Sequence, residues 1–395
     1  MSIPILPTHS SLLDISRLLW RTWRGQLPTG IDRLCVAYAE HYRESAFAML
    51  QRGGLTRVLP LETSRQLFGL LIDPPADFKG RVVALLAKAA VGPRVPSDIL
   101  RGAVYLNVGH TGLDRAGHGR WVRGSGVRAV YYVHDLIPLT HPQFARAGQP
   151  ERHASRMRMV LEHATAVAAN SDDSIAALAV FAQANRLPMP PALCAPLAGT
   201  PPLPRADAAP PIGTRYFVTV GTIEGRKNHL LLLRVWRRLI EQLGQRTPPL
   251  VIIGQRGWCA DEVFDQLEHD PVLRDHVIEL GRCGDAELQR YLAHAQALLF
   301  PSFVEGQGLP LIEALAVGIP VIASDLAVFR ETAGSIPDYL DPNADAAWEE
   351  MILRYVDKES APRAAQIARL TTFRAPTWTE HFDKVETWLG KLAPG

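Results

Sequence analysis

The chain has 395 residues, more than the roughly 250 to 300 at which one hydrophobic core stops growing, so two domains are expected. Hydrophobic residues make up 47% and charged residues 21%, which excludes a disordered chain. The 42 basic and 40 acidic residues leave a formal net charge of +2, no global field for nucleic acid, which is therefore not expected as a partner.

Cys35, Cys194, Cys259 and Cys283 lie far apart and show neither CxxC nor a cysteine/histidine ligand spacing. That argues against a disulfide framework and a zinc site and fits a reducing, cytoplasmic setting. No apolar run reaches the 18 or so residues needed to cross a bilayer, and "MSIPILPTHSSLLD" lacks the basic start and apolar core of a secretory signal. Between Leu12 and Arg24, however, Leu12, Ile15, Leu18, Leu19 and Trp20 interleave with Arg17, Arg21 and Arg24. Two readings are open there: an internal strand or helix with a basic rim, or a peripheral contact with the anionic inner face of a membrane.

"PTGIDR" at Pro28 to Arg33 places a turn at Thr29-Gly30-Ile31 ahead of a helix starting near Ile31. Glycine lets the chain turn there and bring amides to a ligand; a plain N-cap is the alternative. "GAVYLNVG" and "VRAVYYVHD" read as buried strands ending in polar residues, with Asn107, Gly109 and His110 after the first and His134 and Asp135 after the second. His134 is either a core histidine bonded to Asp135 or to backbone, or a ligand-facing one, since parallel sheets open their crevice beyond the strand C-termini. "ERHASRMRMVLEHA" reads as an amphipathic helix and "TAVAANS" as a further strand. "SDDS" at Ser171 to Ser174 reads as a capped helix start; no carboxylate cluster suits magnesium or manganese, so no metal is expected.

Proline density from Pro188 to Pro211 excludes a long helix or a central strand and marks an interdomain linker. It separates a first domain, residues 1–205, from a second, residues 212–375, with residues 376–395 forming a C-terminal helix that packs back on the first. Beyond the linker, "RYFVTVGT", "PLVIIGQ", "VIELG", "ALLFPS" and "PVIASD" alternate with helical patterns from about His229, Glu262, Asp285 and Leu309. That rhythm implies βαβ units and a parallel sheet covered on both faces. Both halves are therefore α/β, and two such domains facing one another would enclose a cleft.

Two segments carry chemistry. In "VGTIEGRKNH", Gly221 and Gly225 permit tight turns around Thr222, Arg226 and Lys227 supply two cations, and a helix N-terminus follows. Phosphates would be well served there; a solvated basic turn is the alternative. The segment is not a Walker A loop, and no strand is followed by GxGxxG, which disfavours a dehydrogenase. In "FVEGQGLPLIEALAVGIPVIASD", Glu305 falls on the loop after a strand and Glu313 about one turn inside the next helix. Gly306 and Gly308 let amides at that helix start, near Leu309, approach a ligand. Glu313 is either an exposed helix glutamate or, given apolar Leu311, Ile312, Ala314 and Leu315, a carboxylate in a packed interface that needs partners.

Together these segments resemble the E-x7-E element and the paired Arg-Lys of the retaining, GT-B-fold glycosyltransferases often numbered family four, over about Tyr216 to Asp341. "PTGIDR", "HDLIPL" and "ANSDDS" resemble, less specifically, members that build bacterial surface polysaccharides, including lipopolysaccharide and capsule. The resemblance implies two Rossmann-like domains whose parallel sheets face across a cleft, and a nucleotide diphosphate sugar as co-substrate without a further cofactor. It implies that Arg226 and Lys227 hold the diphosphate, that Glu305 binds hydroxyls of the transferred sugar and Glu313 those of the ribose, and that His134 lies beside the reacting sugar. Gly221, Thr222, Gly306, Gln307, Gly308 and Leu309 would complete the donor site, with loops around Gly254 and Arg282 selecting the base. Thr29, Gly30, Asn107 and Asp135 would face the acceptor or cleft. Gln307 departs from the pattern, since an aromatic usually stands there. The implied reaction is retaining transfer of a hexose from a GDP- or UDP-sugar, GDP-mannose included, to a saccharide or lipid-linked oligosaccharide. Another GT-B enzyme, an epimerase or phosphorylase, and a non-catalytic nucleotide-sugar-binding scaffold are the alternatives.

Overall fold

The computed structural model describes residues 10–26, 28–201, 209–357 and 360–392. They form two compact units: one takes the chain to Leu139, then Gly148–Leu197 and the segment from Trp378; the other takes Thr140–Ala147 and Ala198–Thr377. Each unit is α/β with its own sheet.

The first sheet contains β1 (Ser11–Asp14), β2 (Ala46–Arg52), β3 (Leu55–Val58), β4 (Val104–Asn107), β5 (Arg128–Val133), β6 (Ala166–Ala169) and β7 (Ala192–Cys194). Their spatial order is β3-β2-β1-β4-β5-β6-β7. All neighbours run parallel except the β2/β3 hairpin. Leu12, Tyr105, Ala129, Tyr131, Val133 and Val167 pack in one core, which is why these strands read as continuous apolar runs.

The amphipathic stretch from Leu12 is β1 followed by the helix Ser16–Trp23. Leu12, Ile15, Leu18 and Leu19 are core residues, and Arg17 and Arg21 both pair with buried Asp32, at 2.9 and 2.6 Å. The internal reading therefore holds for Leu12, Ile15, Leu18 and Leu19, while Trp20 is half-buried and Arg24 exposed. The helix after Thr29 starts at Gly30, one residue earlier than expected. Thr29 precedes it, and the Asp32 carboxylate accepts from the Thr29 amide and hydroxyl, both at 2.7 Å. Ser171 caps the helix Asp172–Ala184 by accepting from the Ser174 amide at 3.1 Å.

The proline-rich segment is not linker throughout, because Ala192–Cys194 adds strand β7 to the sheet edge beside β6. Pro191 lacks a donor but keeps its carbonyl, which accepts from the Val167 amide at 2.9 Å. Residues 202–208 of that segment lie outside the described residues. The helix Trp378–Lys391 belongs to the first unit. Its His381 bridges the Pro196 carbonyl at 2.9 Å and the Tyr38 hydroxyl at 3.1 Å, while Phe382 stacks on His41.

The second sheet contains β8 (Phe217–Val220), β9 (Leu250–Ile253), β10 (Val277–Gly281), β11 (Leu298–Phe300), β12 (Val321–Ser324) and β13 (Asp338–Leu340). The order is β10-β9-β8-β11-β12-β13, all parallel. Period-2 alternation sends Val218, Val220 and Val251 into the core on one face and Phe217, Leu250 and Ile252 into the core on the other. The short excursion Thr140–Ala147 belongs to this unit. Its Phe144 ring stacks on Phe303 at 5.3 Å between centroids, and its Phe144 carbonyl accepts from Trp258 Nε1 at 2.9 Å.

In a doubly wound sheet the connections leave in opposite directions at one point, and the loops there part to leave a crevice at the strand C-termini. The reversal lies between β8 and β11 in the second sheet and between β1 and β4 in the first.

Candidate functional site

The β8/β11 switch point gathers the two segments singled out from sequence. Val220 ends β8, and Gly221 follows at φ +142, a conformation that side-chain-bearing residues avoid. A Cβ there would stand 3.2 Å from Lys227 Cε and 3.3 Å from its Nζ. The absent side chain is what gives the lysine its place. Gly254, after β9, is more constrained, because a Cβ would lie 1.8 Å from the Gly221 carbonyl oxygen. Residues Gly225–Lys227 make one 3-10 turn, and Asn228 adopts a left-handed conformation at φ +56 before the helix His229–Leu243.

That turn is zipped to the loop after β11. The Arg226 carbonyl accepts from the Phe303 amide at 2.8 Å, and Arg226 Nη1 donates to the Val304 carbonyl at 3.1 Å. The side chains converge on Glu305, which is 7% exposed. Arg226 Nη1 donates to Glu305 Oε2 at 2.8 Å, Ser302 Oγ donates to Oε1 at 2.8 Å, and Lys227 Nζ donates to Oε1. Arg226 Nε also pairs with Glu224 Oε1 at 2.7 Å, and Lys227 Nζ sits 4.8 Å from the centre of the Phe300 ring.

Burial alone would raise the Glu305 pKa, but Arg226 and Lys227 outweigh it and hold the carboxyl down to about 2. Burial lowers Lys227, and Glu305 opposes that shift. Both directions fit an ionised pair, the arrangement that leaves neither buried charge alone. Burial raises Glu224, against the pull of Arg226 and Lys227. Two cations are thus held beside two carboxylates, and Lys227, only 8% exposed, is not the solvated basic turn that sequence left open.

Glu313 lies in the helix Leu309–Ala316 and is 6% exposed, so it is not an ordinary surface glutamate. Its Oε1 accepts from the Thr200 hydroxyl at 2.8 Å and the Thr200 amide at 3.2 Å. Gly308, at φ +88, opens that helix, and a Cβ on it would meet the Phe329 ring at 2.6 Å. Gln307, in the aromatic's usual place, is buried, while Gly306 and Thr222 are half-buried. Arg282 is exposed in the loop after β10.

The remaining candidates belong to the first unit. His134 is buried and bonded through Nε2 to the Val108 carbonyl at 2.8 Å. That bond is to backbone and not to Asp135, whose carboxylate accepts from the Ile137 amide at 3.1 Å. Burial pushes His134 down to about 4, so its ring is neutral at pH 7. Asn107 is fully buried and donates to the Tyr105 hydroxyl at 2.8 Å and the Thr111 carbonyl at 2.9 Å. Its Oδ1 has no partner among the described residues.

Glu224, Ser302 and Thr200 were not singled out from sequence. Glu224 lies inside the quoted "TIEGRKN" and Ser302 at the end of "ALLFPS"; a paired cation calling for a balancing carboxylate was the available signal. Thr200, 113 positions from Glu313, left none.

The family described as Glycosyl transferases group 1 matches residues 205–369. The serotype-specific mannosyltransferase WbdA of Escherichia coli is 29% identical over 269 residues, covering 63% of this chain and 33% of the relative. O-antigen chain mannosyltransferase B of Escherichia coli is 28% identical over 265 residues, 64% of this chain and 67% of the relative. The chain thus spans about a third of the length of the WbdA relatives it matches. Among solved structures, HepE of Anabaena in complex with UDP and glucose superposes with a TM-score of 0.67 at 15% identity, covering 97% of this chain and 100% of that one. The UDP-forming α,α-trehalose-phosphate synthase of Burkholderia vietnamiensis gives 0.62 at 13% identity, over 98% and 99%. The chain therefore has the GT-B fold, carries a glycosyl transferases group 1 domain, and is a homologue of the bacterial O-antigen mannosyltransferases.

Proposed function

We propose that the protein transfers a hexose, with mannose the first to test, from a GDP- or UDP-sugar to a saccharide or lipid-linked oligosaccharide in polysaccharide assembly, with retention of anomeric configuration. The observation that carries this reading is the convergence of Arg226, Lys227 and Glu305 at the β8/β11 switch point, beside the start of the helix Leu309–Ala316. Mannosyltransferase homology supports the sugar.

Cleavage of a sugar-diphosphate bond leaves negative charge on the departing phosphate. Arg226 and Lys227 are placed to meet it, and amides of Gly306 to Leu309 add donors at a helix start. Glu305 then acts first by fixing both cations, so that little reorganisation is needed as charge develops, and through them beside the transferred sugar. Glu313 takes the ribose and Arg282 the base side. In this proposal the charge stabilisation comes from side chains and amides, with no metal. His134 works beside the reacting sugar as a neutral imidazole, and Thr29, Gly30, Asn107 and Asp135, in the same unit, face the acceptor. Reaction takes place in the cytoplasm; among the described residues no helix is long and apolar enough to cross a membrane.

The test is incubation with GDP-mannose and with UDP-hexoses in the presence of a mannose oligosaccharide, followed by proton NMR of the product. An elongated acceptor with an α linkage from an α donor supports the reading. Free epimer, sugar phosphate, or unchanged donor despite nucleotide binding contradicts it.

A further inference from the structure

We propose that the first unit holds a second ligand site, for the phosphate of a phosphorylated sugar, at the β1/β4 switch point. Its assignment to the acceptor rests on the transferase reading above; the site itself does not. A cavity of about 380 Å³ opens there, within the size range of small-molecule sites. Arg17, Arg52, Arg115 and Arg156 line it against one carboxylate, Asp114.

Of these arginines, Arg17 is committed to Asp32 at 2.9 Å. Arg52 lies over the Trp20 ring, 4.6 Å from its centre. Arg156 approaches Asp114 only to 3.7 Å, and its buried Nε has no hydrogen-bond partner among the described residues. A buried guanidinium nitrogen calls for an acceptor, and phosphate oxygens match guanidinium geometry.

The floor is polar, ordered and uncharged at its surface. His118 is pushed by burial to about 4 and is neutral, so its Nδ1–H donates to Gln51 Oε1 at 3.2 Å while its Nε2 accepts from the Tyr131 hydroxyl at 3.0 Å. Gln51 Nε2 in turn donates to buried Asp14 and to the Tyr105 hydroxyl at 3.2 Å. Gly112, at φ +73, leaves room for this, since a Cβ would come 2.3 Å from Gln51 Oε1. Cations at the wall and neutral polar groups at the floor match a ligand with an anionic end and hydroxyls. A concave site of this kind favours a discrete sugar phosphate over the headgroups of a flat bilayer.

The experiment is calorimetry on the full chain with mannose 6-phosphate, mannose and inorganic phosphate, and flotation with phosphatidylglycerol vesicles. We expect mannose 6-phosphate to bind at least about tenfold more tightly than mannose. The Arg115→Gln/Arg156→Gln variant should lose at least about tenfold of that affinity while Lys227→Ala keeps it. Because Arg156 is half-buried, the exposed Arg115→Gln single variant is run alongside, and should lose affinity with an unchanged melting transition. Retained binding in the double variant, loss in Lys227→Ala, equal binding of mannose, no binding, or vesicle binding abolished by the same substitutions would each overturn the proposal. Nucleotide titration of the same samples separates the two readings: its failure removes the transferase assignment and leaves the sugar-phosphate result standing.

Discussion

Lys227 and Glu305, 78 positions apart in the chain, form a buried ion pair behind the ends of β8 and β11. Each needs the other, because a charge this deep without a counter-charge costs several kcal/mol. Replacing Glu305→Ala should therefore lower the unfolding free energy by about 3 kcal/mol or more, measured by urea denaturation. A loss under about 0.5 kcal/mol would mean that the pair is solvated and that the site is misread.

Gly221 and Gly254 should respond differently to alanine. At Gly221 the new methyl meets the end of the Lys227 chain, which can move, so Gly221→Ala should fold with a loss of about 1 to 3 kcal/mol for backbone strain. Its nucleotide affinity should fall by about tenfold or more as the ammonium is displaced. At Gly254 the methyl meets the Gly221 carbonyl in the β8/β9 connection, and Gly254→Ala should give little folded protein. Soluble yield and melting temperature distinguish the two; equal behaviour would contradict the geometry.

Stability should fall as the solution is acidified, in two stages. Burial holds His118, His134 and His381 from 6.5 down to about 4, and His229 down to about 3. Below about pH 6.5 the unfolded chain takes up protons that the folded chain refuses, so stability declines by about 1.4 kcal/mol per pH unit for each extra proton. Glu305, held at about 2 against an ordinary 4.5, contributes stability above 4.5 that is lost as the pH falls from 4.5 towards 2. Urea midpoints that stay flat from neutral pH to about pH 4.5 would refute the first stage.

If Arg226, Lys227 and the amides carry the leaving-group charge, sugar transfer should continue at an unchanged rate in excess EDTA. A drop of about tenfold, restored by magnesium or manganese, would move that role to a metal.

The second unit was readable from sequence because its strands are apolar runs bounded by glycine and proline, and its βαβ rhythm has one topology of short, right-handed connections. Arg226, Lys227, Glu305 and Glu313 stood out by their places after strands, whereas the roles expected of them came from the resemblance to the glycosyltransferases. Other features are set by tertiary contact. Strand β7 has only three residues inside a proline run and exists because Pro191 still offers a carbonyl to Val167. The excursion around Phe144 is defined by its stack on Phe303, and the partner of Glu313 is a threonine 113 positions away. Strand β2 ends in Gln51 and Arg52, polar residues whose use shows only once β1, β4 and the helix Ser16–Trp23 bring Asp14, Tyr105 and Trp20 to them.

The central claim is that Arg226 and Lys227 form a nucleotide diphosphate site, and it is tested most directly by calorimetric titration with UDP, GDP, dTDP and ADP beside Lys227→Ala. One nucleotide should bind the wild-type chain, and the variant should lose at least about tenfold in affinity. Absence of binding by all four at millimolar concentration, or binding unaffected by the substitution, would contradict it.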